Sequence, residues 1–146
     1  MANILTSLRQ GITTRLIGST NDFRTAITQS GYYKFYFHIA PQVIPGTSTS
    51  VVPPYCVWDL LPMNNNEDTV NKFYNVVMQF RVSSLAIGEC ENIMGYLTDR
   101  LEDCENYLTI TSHSIVRITR HPLIAPSMID NVWNGIVQYK IELQKV

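Results

Sequence analysis

The sequence predicts an α+β fold: a mostly antiparallel sheet of about five strands, with an N-terminal helix and one long amphipathic helix packed on it. Three observations carry this. Apolar residues step by three and four in two segments, which is the stripe of a core-facing helix. They alternate with polar residues in several others, the period of a half-buried strand. The order of the segments, helices first and then strands around a single further helix, does not alternate as a parallel α/β fold would.

The first helix follows from Ile4, Leu5, Leu8, Ile12, Leu16 and Ile17. It runs from Asn3 to Ile17, with Gly18 as its C-terminal stop. The run Ser19-Thr20-Asn21-Asp22 supplies N-caps for a short second helix through Ile27. From Tyr32 the period becomes two. Tyr33, Phe35, Phe37 and Ile39 alternate with Tyr32, Lys34, Tyr36 and His38, ending at Ala40-Pro41. Residues 42–54 are rich in Pro, Ser and Thr and predict an exposed loop. A second strand follows over Tyr55 to Leu61, and Asn64, Asn65, Asn66, Glu67 and Asp68 form a polar turn. In the third strand Tyr74, Val76, Met78, Phe80 and Val82 share one face.

Ser83-Ser84 caps a helix from Leu85 to Cys104, whose inward positions are Ile87, Cys90, Met94, Leu97, Leu101 and Cys104. A fourth strand places Leu108, Ile110, Val116 and Ile118 on its even positions, and Pro122 and Pro126 precede a last strand from Ile129 to Leu143. Asn134-Gly135 is a strong hairpin signal, but a turn there would mix the faces. A continuous strand keeps Trp133, Val137, Tyr139, Ile141 and Leu143 together, with a bulge at Gly135. The third and last strands are long for a small domain, which suits arms that reach neighbouring subunits.

The chain has 146 residues, 45% hydrophobic and 16% charged, with a net charge of −1. That is enough for one domain, residues 1–146, with a real core. It argues against a basic face that grips DNA or an acidic membrane. No apolar run is long enough for a transmembrane helix, and Arg9 and Arg15 break up any signal-peptide core. Three cysteines fit a reducing compartment; the expectation is a soluble intracellular protein.

No catalytic or cofactor-binding constellation emerges. Cys56, Cys90 and Cys104 form no Cys-x-x-Cys pair, and His38, His113 and His121 lie far apart, so no metal set is expected. Cys90 and Cys104 would be about 21 Å apart along a helix at 1.5 Å per residue, so they are packing residues rather than a disulfide. In Ser112-His113-Ser114, strand neighbours point to opposite faces and cannot act as nucleophile and base. Ser112 and Ser114 are expected on the apolar face and His113 on the polar face beside Arg117. There is no Gly-x-Ser-x-Gly elbow and no phosphate loop. Asp99 with Asp103, and Glu102 with Glu105, fall on what reads as the wet face of the acidic helix. Arg117, Arg120 and His121 form a small positive cluster, too small for a nucleic-acid footprint and suited to a partner subunit.

In order and spacing the whole chain resembles the tail-terminator, or tail-completion, family of long-tailed bacteriophages. The residues that carry this are an N-terminal helix, a strand ending Ala40-Pro41-Gln42, and a loop leading to Pro53-Pro54-Tyr55-Cys56-Val57-Trp58. A long strand ending Arg81-Val82-Ser83-Ser84, the helix Leu85–Cys104 and two final strands complete it. The loop between Pro41 and Pro53 and the Asn-rich turn depart from the pattern. The resemblance implies a non-enzymatic virion protein without cofactors, located at the head–tail junction and assembled in the host cytoplasm. It implies a ring of six that caps the tail tube, ends its polymerisation and docks a head-completion or neck protein, with DNA passing through without tight binding. The candidate interface is Asn64 to Asp68 with Arg117, Arg120 and His121, extended by the segment Leu123 to Asn131. Two other readings are open: another neck component such as a head-closure or connector adaptor, and a small α+β hydrolase or ligand-binding domain with its site among Tyr32, Tyr36, His38 and Trp58.

Overall fold

The computed structural model describes residues 4–62, 66–67, 72–102, 104, 108, 110 and 113–145. Helix α1, Ile4–Ile17, buries Leu8, Ile12 and Leu16, the stripe expected from their spacing. Asn21 caps the short helix α2, Asp22–Ala26; its side-chain oxygen accepts from the Arg24 amide at 3.0 Å. That bond satisfies one of the amides a helix start leaves without a partner.

The alternating stretch from Tyr32 to Ile39 is not one strand. Strands β1, Thr28–Gln29, and β2, Tyr32–Tyr33, form a small separate hairpin. It turns through Ser30 and Gly31, both at positive φ, as tight hairpins require. Lys34 then leaves that pairing, is buried rather than on a polar face, and donates its ammonium to the Val52 carbonyl at 2.8 Å. Burial pushes its pKa below the ordinary lysine value, against the opposing pull of Glu89.

Strand β3 is only Phe35–Phe37, and it pairs in parallel with β4, Tyr55–Pro62. Among the described residues this is the parallel pair in an otherwise antiparallel sheet. Residues 38–54 supply the long return that a parallel pair needs and a hairpin does not.

Strand β6, Lys72–Ser84, is antiparallel to β4 on one side and to β9, Val132–Lys145, on the other. The described strands form a seven-stranded sheet in the order β3-β4-β6-β9-β7 rather than one of about five. The two-residue β5, Asn66–Glu67, is added on β6, and β8, Ile124–Ile129, on β9. With β7, His113–Arg120, strand β8 lies along the outer edge of β9, one against each half of it. β9 passes straight through Asn134-Gly135, and Val137, Tyr139, Ile141 and Leu143 are all buried, as parity requires. Gly135 pairs with Val82 without a break in the β6 ladder, so there is no bulge at that position in this pairing. The hairpin turn sits earlier, at Asp130 and Asn131, with φ of 52° and 64°.

Helix α3, Ile87–Leu101, packs on the sheet through Cys90, Ile93, Met94, Leu97 and Leu101. It begins two residues later and ends three residues earlier than expected; its N-cap is Ala86, with no side-chain capping bond, and Ser84 instead accepts from the Ala86 amide and donates to Glu89 just ahead of the helix. Ile87, expected inward, is exposed. Gly135 lies under α3: a Cβ there would overlap Met94 Sδ and come within 3.1 Å of Cys90 Sγ. The glycine lets helix and strand approach closely.

In β7 the inward positions differ from the even-number expectation. A register shift between Ile115 and Arg117 lets both Ile115 and Ile118 pack against the core and leaves Ser114 exposed. An inserted residue reverses the alternation beyond it, which no local periodicity reveals. Leu108 and Ile110 are buried as expected. On the other side of the core Phe35, Trp58 and Phe80 stack, with centroids 5.4 Å and 5.5 Å apart, and Phe23 meets Phe35 edge-on.

Candidate functional site

Of the predicted interface residues, Asn64, Asn65 and Asp68 lie outside the described residues. Asn66 and Glu67 form β5, opposite Phe73 and Lys72 at the far end of β6. The predicted Arg117–Arg120–His121 cluster is not brought together. Arg117 pairs with Glu142 at 3.5 Å on the sheet face away from the helices, where His121 Nδ1 lies 3.4 Å from Gln138 Oε1. Arg120 sits opposite Tyr139 and reaches Glu102 at 3.1 Å, near the end of α3. The β7–β9 register is unbroken from Arg117 to Arg120, and residues three apart along a strand point to opposite faces. Each has a partner within the chain, so no shared positive patch results.

The Arg120–Glu102 pair stands over buried Tyr139. Burial, reinforced by the Glu102 carboxylate and opposed by Arg120, pushes the phenol well above its ordinary range. This is a structural cluster at the helix end.

The residues of the hydrolase reading do not converge either. Trp58 is buried within the aromatic stack. Phe35 and Phe37 line the core side with it, so Tyr36 points to the opposite face. Tyr32 belongs to the separate hairpin, and His38 is an exposed side chain paired with Asp59. Among the described residues no group of three His, Cys, Asp or Glu could hold a metal ion. No disulfide joins the three cysteines, which are buried, and burial raises the pKa of Cys56 and Cys90, which disfavours the reactive thiolate. No described helix is long and apolar enough to cross a membrane.

What the fold leaves open is an apolar edge. Leu123, Ile124, Met128 and Ile129 are 50%, 49%, 52% and 59% exposed. β8 carries no charged residue and, among the described residues, has no strand on its outer side. Pro126 and the register shift before Ser127 interrupt the edge, devices that limit uncontrolled strand pairing. A groove of about 420 Å³ runs between β8 and α3, lined by Glu91, Met94, Gly95, Leu123, Ile124 and Pro126. Opposite, at the β3 edge, a second groove of about 340 Å³ lies between α1 and the sheet. Arg9, Gln10 and Thr13 form its wall and Phe35, Phe37 and Trp58 its floor. The Arg9 guanidinium lies over the Phe37 ring, 4.9 Å from its centroid, a cation–π contact. The sequence had named the segment Leu123 to Asn131 but not the α1–β3 groove, whose residues lie apart along the chain.

No family model and no curated protein matches the chain. Solved structures do. One is a chain of the virion of a native gene transfer agent particle, aligned over 99% of both chains with a TM-score of 0.72 and 10% identity. Another solved chain aligns over 97% of this chain and 96% of its own, with a TM-score of 0.58 and 12% identity. At these identities the likeness is one of fold.

Proposed function

We propose that this protein is a structural component of a phage-like virion and works by assembly rather than catalysis. In this reading it forms a closed ring of about six subunits, as a single 1–146 domain per subunit. The ring caps the tail tube, ends its growth and joins the tail to the head or neck protein. The observation that carries the reading is the fold likeness, end to end, to a chain of a gene transfer agent virion. The order of elements along the sequence agrees with it.

Two further features support it. An exposed apolar edge of this kind marks a protein–protein contact surface. The near-neutral charge suits a channel that passes DNA without holding it, since each neutralised phosphate adds to binding. Head-to-tail contacts between unlike surfaces close into a ring when the rotation allows it, and a ring with two different faces can bind the tube on one and stop growth on the other.

The test is molar mass by light scattering over a concentration series, with negative-stain images, alone and with tail-tube protein. Rings of about six that cap tube ends support the proposal. Rings that bind a portal-side protein and leave tube length unchanged point to a head-closure or connector adaptor instead. A monomer under every condition removes the ring.

A further inference from the structure

We infer that subunits join by inserting the β8–β9 hairpin tip of one copy into the α1–β3 groove of the next, with Asp130 of the hairpin against Arg9 of the groove. The inference rests on the ring reading above and specifies its contact. Three observations carry it: where the two surfaces lie, their chemistry, and the shape of the hairpin.

The surfaces lie at opposite edges of one sheet, β3 at one side and β8 at the other. Two different patches on opposite sides of a subunit are what a head-to-tail contact needs, whereas a two-fold contact uses one patch twice. The chemistry is complementary. The hairpin presents Met128 and Ile129 exposed beside the single acidic residue Asp130. The groove presents an aromatic floor with the basic Arg9 over it. Its volume of about 340 Å³ exceeds the roughly 150 Å³ that holds a benzene molecule, so it admits more than one hairpin side chain. Like-signed copies of the contact are disfavoured, because Asp130 against another Asp130, or Arg9 against another Arg9, brings equal charges together.

The hairpin is also built to project. Its turn is two residues, Asp130 and Asn131, both in the left-handed region, which matches strand twist and gives a narrow, stiff tip. All residues of β8 but one are exposed, although most are apolar. Burial of that apolar surface supplies the affinity, and the Asp130–Arg9 pair selects the partner surface.

The test uses the full chain with charge reversals on each side, Arg9→Asp and Asp130→Lys. Each variant alone is expected to assemble at least about tenfold more weakly than the parent, with unchanged circular dichroism. An equal mixture is expected to recover assembly, because the unaltered Asp130 of the Arg9→Asp subunit meets the unaltered Arg9 of its neighbour, and the two altered residues meet each other. A turn weakened by the lysine alone would not be rescued by mixing. In parallel, Ile129→Cys combined with Thr13→Cys is expected to give a reducible ladder of cross-linked subunits under mild oxidation. Wild-type rings together with unaffected charge variants and no ladder overturn this contact and leave the ring reading standing. Wild-type monomer with and without tail-tube protein overturns both.

Discussion

Arg15 and Arg100 each donate to the other's backbone: Arg15 Nε to the Arg100 carbonyl at 3.0 Å, and Arg100 Nη2 to the Arg15 carbonyl at 2.8 Å. Both residues lie in the last turn of their helices, where carbonyls lack an intrahelical partner and a positive charge is favoured by the helix dipole. The reciprocal pair thus satisfies two helix ends and ties α1 to α3. Replacing Arg100 with Ala should lower stability by about 1.5–3 kcal/mol, the range for a hydrogen bond to a charged group. In a urea-denaturation cycle the Arg15→Ala, Arg100→Ala double variant should lose less than the sum of the single losses, because both act on one junction.

Gly135 and Met94 make the second prediction. Gly135→Ala places a methyl group where Met94 Sδ sits, and should cost about 1–3 kcal/mol as an overpacked core does. Adding Met94→Ala opens that space, so the alanine at 135 should then cost much less, as a thermal-denaturation cycle would read. Equal costs in both backgrounds would place the role of the glycine in the strand backbone instead.

The buried Tyr139 sets a pH dependence. Its pKa is raised in the folded state by burial first and by Glu102 second, so above its ordinary value of 10.0 the folded protein holds a proton that the unfolded chain has released. Stability must then fall as pH rises through that value. The Tyr139→Phe variant should show a shallower loss between about pH 9.5 and 11, the range in which an unperturbed tyrosine titrates. The comparison is urea midpoint against pH for both proteins.

The hairpin tip gives a backbone prediction. Asn131 has φ of 64°, a conformation that Asn tolerates and β-branched residues resist. Asn131→Val should therefore destabilise by about 1–2 kcal/mol, while Asn131→Gly should be neutral or slightly stabilising. Chemical denaturation of the dilute monomer separates this from any effect on assembly.

Much of the architecture was legible in the chain. The stripe Leu8, Ile12, Leu16, the inward row from Cys90 to Leu101, and the continuity of β9 through Asn134-Gly135 all follow from local periodicity and from parity. So do the buried faces of β6 and β9, while the run Ser19 to Asp22 held the cap of α2 without singling out Asn21. These features depend on residues within a few positions of one another, where side-chain direction is set by helix or strand geometry alone.

What the tertiary structure alone decided depends on partners distant in sequence. The run from Tyr32 to Ile39 alternates throughout, yet Tyr32–Tyr33 pairs with β1 and Phe35–Phe37 with β4, and nothing in the run marks the change of partner at Lys34. Arg117 and Arg120, three apart in an unbroken stretch of the ladder, fall on opposite faces by alternation alone, but their partners, Glu142 across the ladder and Glu102 at the end of α3, are set by strand pairing and packing. The small size of Gly135 makes sense only with Met94 above it. The two apolar surfaces at opposite sheet edges exist only once the strand order is known. By itself the sequence determined which residues face inward within each element, because that is a local matter of backbone period. Which edges remain open, and what they face, was decided by strand pairing, since a hydrogen-bond ladder joins residues whose separation along the chain no local pattern encodes.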